Sequence, residues 1–157
     1  MNTRKVTAAV VAIVLGCVSA LSGDAKVTKL SLQEMVARSE LIVVARVSEI
    51  RDTGESRMGN PVAMIRISVE TTLKGRAHRS LDIYEIPTAI ETAQFTIYDK
   101  CVFFLARHES QLWVVQGFAG KVNIVGDNAK DIYIAGEEET QPVQSFLARI
   151  AVAATGQ

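Results

Sequence analysis

Along residues 62–73 apolar and polar positions alternate: Ile65, Ile67, Val69, Thr71 and Leu73 fall on one side, and Arg66, Ser68, Glu70 and Thr72 on the other. A period of two is the mark of a strand with one buried face. Twelve such residues make a long strand, which predicts a bend serving two sides of a small barrel. Upstream, Leu41-Ile42-Val43-Val44-Ala45-Arg46-Val47 is a β-branched run, apolar on both faces at first and alternating later. Residues 52–61, with two glycines and a proline, predict a loop between these strands. Lys74-Gly75-Arg76 predicts a turn and residues 81–86 a third strand ending at Pro87, whereas residues 88–100 show no legible period. Residues 101–106 and 112–116 flank a hairpin connection at 107–111, and residues 121–125 and 132–135 flank a turn at Gly126-Asp127-Asn128.

Two segments carry a helical period instead. Ser31-Leu32-Gln33-Glu34 has the form of a capping box, with Leu30 and Met35 placed as a hydrophobic staple, and Leu32, Met35 and Val36 predict a short helix over 31–38. Val143, Phe146, Leu147, Ile150, Ala151 and Ala154 form an apolar stripe on a C-terminal helix that begins near Pro142. Glu137, Glu138 and Glu139 are expected to favour its start through the helix dipole. About seven short strands follow one another without crossover helices, so the sheet should be mainly antiparallel and the fold mainly β.

The N-terminus reads as an export signal. Arg4 and Lys5 precede an uncharged stretch over 6–23 whose densest apolar part, residues 8–15, is short for a membrane span. Two processing routes are open, beside retention of the segment as an uncleaved anchor. Cleavage after Val18-Ser19-Ala20 removes residues 1–20, while Leu15-Gly16-Cys17 resembles a lipobox, which would remove 1–16 and lipidate Cys17. Residues 21–30 then form a linker, and 31–157 one domain, in keeping with a chain of 157 residues.

Composition sharpens this picture. The chain holds 17 basic and 17 acidic residues, and loss of Arg4 and Lys5 leaves 15 against 17, a poor balance for binding nucleic acid. Of the two cysteines only Cys101 stays in the folded part, so stability must come from core burial.

The order of Ser39-Glu40-Leu41-Ile42-Val43-Val44-Ala45-Arg46-Val47, Gly59-Asn60-Pro61-Val62, Thr72-Leu73-Lys74-Gly75, Leu81-Asp82-Ile83-Tyr84 and Tyr98-Asp99-Lys100-Cys101-Val102-Phe103-Phe104-Leu105-Ala106 resembles the N-terminal domain of the tissue inhibitors of metalloproteases and related netrin-like modules. The resemblance covers roughly residues 39–125 and implies a five-stranded OB-type barrel with added strands or helices. Those inhibitors open on a Cys-x-Cys motif whose first cysteine chelates the protease zinc. Here Cys17 is followed by Val18 and Ser19, so the resemblance carries the barrel and not the inhibition.

Candidate chemistry is sparse. Cys101 could be a nucleophile with His108 as its base, the third and enzymatic reading, but it lies in an apolar run that quiets a thiol. His78 and His108 are too far apart in sequence for a zinc pair, and Asp127, Asn128 and Asp131 lack the order of a calcium loop. No hydrolase, nucleotide-binding or zincin motif is present. Lys74, Arg76, His78 and Arg79 form the one basic cluster, either a solvated turn or a contact for an anionic partner. The expectation is an exported, periplasmic or secreted binding module without cofactor or catalysis, whose partner is a protein or glycan of the cell envelope. The runner-up is an inhibitor of a metalloprotease, and the only membrane tie would be a lipid on Cys17. Mass spectrometry after export by a bacterial host should find a chain beginning at Leu21. A diacylglycerol-modified Cys17 would refute soluble release.

Overall fold

The computed structural model describes residues 28–88 and 92–156; the expected export signal, Cys17 and residues 21–27 of the expected linker lie outside them. Helix α1 (Leu32–Arg38) is followed by strands β1 (Leu41–Arg57), β2 (Asn60–Lys74), β3 (Ser80–Glu85), β4 (Lys100–His108), β5 (Gln111–Val114), β6 (Lys121–Val125), β7 (Asn128–Lys130) and β8 (Thr140–Pro142), then helix α2 (Val143–Thr155). Strands account for 51% of the structure.

Five strands close on themselves in the order β1-β2-β3-β5-β4-β1. All of these contacts are antiparallel except β3 with β5, which run parallel. This is a closed five-stranded barrel compatible with an OB-like fold. Strands β6, β7 and β8 continue the sheet outward from the first half of β4.

Two cores explain the hydrophobic pattern. Val43, Ala45, Val47, Ile65, Ile67, Ile83, Phe103 and Leu105 fill the barrel. Ile42, Val44, Val102 and Phe104, from the other faces of β1 and β4, pack outside it against Met35, Val36, Phe146 and Ile150 of the two helices. Strands β1 and β4 are therefore apolar on both faces where they pair, as strands covered on both sides must be. Strand β2 has water on its outer face beyond Ile65 and alternates.

The capping box at α1 forms as the sequence requires. The Ser31 hydroxyl accepts from the Glu34 amide at 3.3 Å, and the Ser31 amide donates to the Glu34 carboxylate at 2.8 Å. Leu30 is buried in the same cluster as Met35, and its carbonyl accepts from the Ala135 amide at 2.8 Å.

Four expectations are corrected. The expected loop at 52–61 is a continuation of β1 into β2, a hairpin whose turn is only Met58-Gly59. Its polar residues are strand because β2 pairs with them, with a register shift between Asp52 and Ser56 taking up the irregularity. The partner of β6 is Asn128–Lys130 and not residues 132–135. Ile132 and Ile134 are buried in the outer core, while Ala135 makes a lone parallel bridge to Ser31. On α2, Val143, Phe146 and Ile150 are buried but Ala151 is exposed. Glu137 does not sit at the helix start, since its carboxylate is held by Arg149 from within α2 and by Gln141.

One glycine is required by contact as well as by conformation. At Gly75, φ is +79° and a Cβ would stand 2.6 Å from the Glu40 carbonyl oxygen. Gly75→Ala is expected to cost about 1–3 kcal/mol, read from the denaturant midpoint. An unchanged midpoint would refute the close approach.

Candidate functional site

OB-type barrels present ligands to the outer face of the second and third strands and to the β1–β2 and β4–β5 connections. Here those two connections meet. The Met58-Gly59 turn takes positive φ at both residues, +50° and +77°, and leaves the Met58 side chain fully exposed. Arg57, beside it, donates to the Gln111 side-chain oxygen at 3.1 Å and lies 3.5 Å from the Glu109 carboxylate. Its guanidinium stacks over the Trp113 ring at 4.7 Å, a cation–π contact. Tyr84 packs against Trp113 with centroids 6.1 Å apart. Thr88 donates to Asn60 at 3.1 Å, tying the exit from β3 to the same end.

Why these side chains face outward follows from parity. Leu112 and Val114 enter the barrel, so Trp113 must leave it, and Tyr84 leaves opposite it because Ile83 enters. The Trp113 indole nitrogen is buried with no hydrogen-bond partner among the described residues. Further along the outer face a row of charges covers β1, β2 and β3. Arg66 donates to both Asp82 oxygens at 2.8 and 3.1 Å and reaches Glu49 at 3.1 Å. The Arg66 hydrogen bonds hold the Asp82 carboxyl below its ordinary pKa.

The expected basic cluster is divided. Arg76, His78 and Arg79 are exposed on the β2–β3 connection, at the far end of β2 from Met58. Lys74 turns away to donate to the Val36 carbonyl of α1 at 2.7 Å. Cys101 points into the barrel, fully buried, and desolvation pushes its thiol up to about 11. His108 lies seven positions along the same strand, which is about 23 Å away and on the opposite face. The structure does not bring the pair together. Asp127 belongs to the β6–β7 turn, and the Asp131 carboxylate accepts from the Asn123 amide at 2.6 Å.

One concave feature has no signal in the sequence. Thr92, Ala93, Gln94, Phe118, Lys121, Asn123 and Asp131 line a cavity of about 190 Å³. Lys121 is only 7% exposed, and it donates to the Asn123 side-chain oxygen at 2.6 Å while Asp99 stands 3.9 Å away. One wall comes from residues 92–94 of the β3–β4 connection. Phe95 of that connection stacks on Phe103 at 6.2 Å, and the buried Glu85 carboxylate accepts from the Ile86 amide at 3.0 Å and from the Ala93 amide.

No protein-family model matches the chain, and no curated protein matches it in sequence.

Burial raises the Glu85 carboxyl above its ordinary pKa, against the lowering effect of its backbone donors. The folded chain therefore holds that proton more tightly than the unfolded one. The Glu85 contribution to stability is full at low pH and falls as pH rises through its raised pKa. Glu85→Gln keeps an acceptor for both amides and removes the charge. It is expected to raise the melting temperature at pH 7–8 and to leave it nearly unchanged near pH 4, and a lowered value at neutral pH would contradict this.

Proposed function

We propose that this chain is a non-catalytic binding module, exported to the cell envelope, that engages a protein or glycan partner with the hairpin end of its barrel. The observation that carries the reading is the set of Arg57, Tyr84 and Trp113 gathered beneath the fully exposed Met58. Tryptophan, tyrosine and arginine dominate the energetics of protein interfaces, and a rigid stacked set is pre-organised for that role. The buried thiol of Cys101 and its separation from His108 favour binding over nucleophilic catalysis. The finer likeness to the tissue inhibitors of metalloproteases and netrin-like modules belongs to this proposal, as a common barrel plan. The second reading is inhibition of a metalloprotease. It is favoured by the projecting β1–β2 hairpin alone, because the chelating Cys-x-Cys motif is missing.

A photo-reactive amino acid at position 58, used in intact cells, tests this. A discrete partner should be captured, and Arg57→Ala or Trp113→Ala should reduce capture about thirtyfold, since truncating an interface anchor costs about 2 kcal/mol. Equal capture by folded Arg57→Ala and Trp113→Ala proteins would sink the assignment of this surface. Inhibition of a purified zinc protease that depends on Met58 would move the conclusion to the second reading.

A further inference from the structure

The β2–β3 connection, at the far end of β2 from Met58, has its backbone held at several points. Gly75 packs on the Glu40 carbonyl, and Lys74 donates to the Val36 carbonyl at 2.7 Å. On the other side the Arg79 carbonyl accepts from the Val69 amide at 2.9 Å. Between them Ala77 packs against the barrel core, while Arg76, His78 and Arg79 are exposed. Because the connection touches Val36 and Glu40, Arg38 at the end of α1 shares this corner and is exposed as well.

The side chains, by contrast, are not held. Those of Arg76, His78 and Arg79 make no hydrogen bond or ion pair among the described residues. Arg46, Arg57, Arg66, Arg107 and Arg149 differ, each standing on a carboxylate. The cause lies in the sequence: no acidic residue occurs from 71 to 81. The acids around that stretch are already engaged, Glu70 by Arg46 and Lys100, Asp82 by Arg66, and Glu40 by Arg107. The Glu34 carboxylate, one turn before Arg38, is bonded to Ser31. The corner therefore carries positive charge that no ion pair offsets among the described residues, on a chain whose acids and bases are equal in number.

We propose that the corner of Arg38, Arg76 and Arg79 is an electrostatic docking surface for a membrane rich in anionic lipid. A carboxylate or phosphate fixed on a folded partner favours donors already set at one spacing, and freezing loose arginines to reach it costs side-chain entropy. Lipid headgroups need no set spacing, since they diffuse to the charges and each basic group near them adds its own attraction. The exposed residues from 71 to 80 are threonine, glycine, arginine, histidine and serine, which suits contact at headgroup level without insertion. Docked there, the barrel would turn its Met58 end away from the bilayer, yet neither reading depends on the other.

The test is co-sedimentation of the purified protein with phosphatidylcholine vesicles made with and without phosphatidylglycerol. The readout is the gain in binding on adding phosphatidylglycerol, which should be clear at low salt and fade as salt shortens the screening length. Arg76→Ser with Arg79→Ser should cut that gain about thirtyfold, at about fivefold for each basic side chain near such a surface. Both positions are exposed and unpaired, so the melting temperature should hold. Removing the same charge elsewhere, by Arg51→Ser with Lys130→Ser, should leave the gain nearly unchanged. Polyglutamate and alginate, offered without vesicles, should bind more weakly than the vesicles do. The proposal is overturned if phosphatidylglycerol adds nothing, if the Arg76 and Arg79 variant binds as the native chain does, or if the charge-matched variant loses as much. Tighter binding of polyglutamate or alginate through these arginines would overturn it as well, in favour of an acidic polymer.

Discussion

The pairing of β1 with β4 is the interaction on which the remainder rests. Six register pairs, from Leu41 with Leu105 to Arg46 with Lys100, join two strands that are buried on both faces. Phe103 and Leu105 look into the barrel, while Phe104 and Val102 look out under the helices. Each of these side chains transfers about 1.5–3 kcal/mol of apolar surface out of water. Among the described strands, β1 and β4 are the paired strands that both place buried residues in both cores. Its polar end is closed by a third strand: Arg46 and Lys100 stand directly opposite each other, and Glu70 of β2 reaches both, at 3.4 and 2.6 Å. That carboxylate offsets a like-charge pair that would otherwise weaken the register.

The same arrangement sets what is left for function. Helices α1 and α2 cover one outer flank, and the charged row of Glu49, Arg66 and Asp82 occupies another. What remains, among the described residues, is the ends and the groove between α1 and α2 lined by Leu32, Ala37, Val152 and Ala153. One end carries the stacked aromatic and arginine set, and another region carries the cavity around Lys121, whose wall is steadied by Glu85 through Ala93. Both hold side chains fixed by their neighbours. Such fixing lowers the entropic cost of recognition.

How much of this could be read in the sequence depends on the range over which each feature is determined. The runs around Val43 and Phe103 were legible because burial on both faces writes a continuous apolar string, and α2 was legible because one buried face writes a 3.6-residue period. Ser31 and Glu34 were legible because a cap is local. The hairpin arm was not, since Arg51, Asp52, Thr53, Glu55 and Ser56 have no strand pattern of their own and depend on pairing with β2. Ile132 and Ile134 misled in the opposite sense: their alternation is real, but it serves docking of a loop on the outer core. The cavity draws on residues 92–94, 118, 121, 123 and 131, which no spacing rule connects, and nothing in the sequence around Lys121 announces that it is buried. Trp113 left a faint trace, as the lone tryptophan between two inward aliphatics.

The parallel join of β3 to β5 is the barrel's seam. Only two register pairs span it, Ile83 with Leu112 and Tyr84 with Trp113, and they link segments distant along the chain. Two register pairs are the fewest of any join in the barrel, so this seam has the least backbone pairing to hold it. Tyr84 and Trp113 are also the aromatic pair offered at the hairpin end. A molecule gripping both rings would rivet the cylinder shut, and mechanical toughness and recognition would then become one property of the same two side chains.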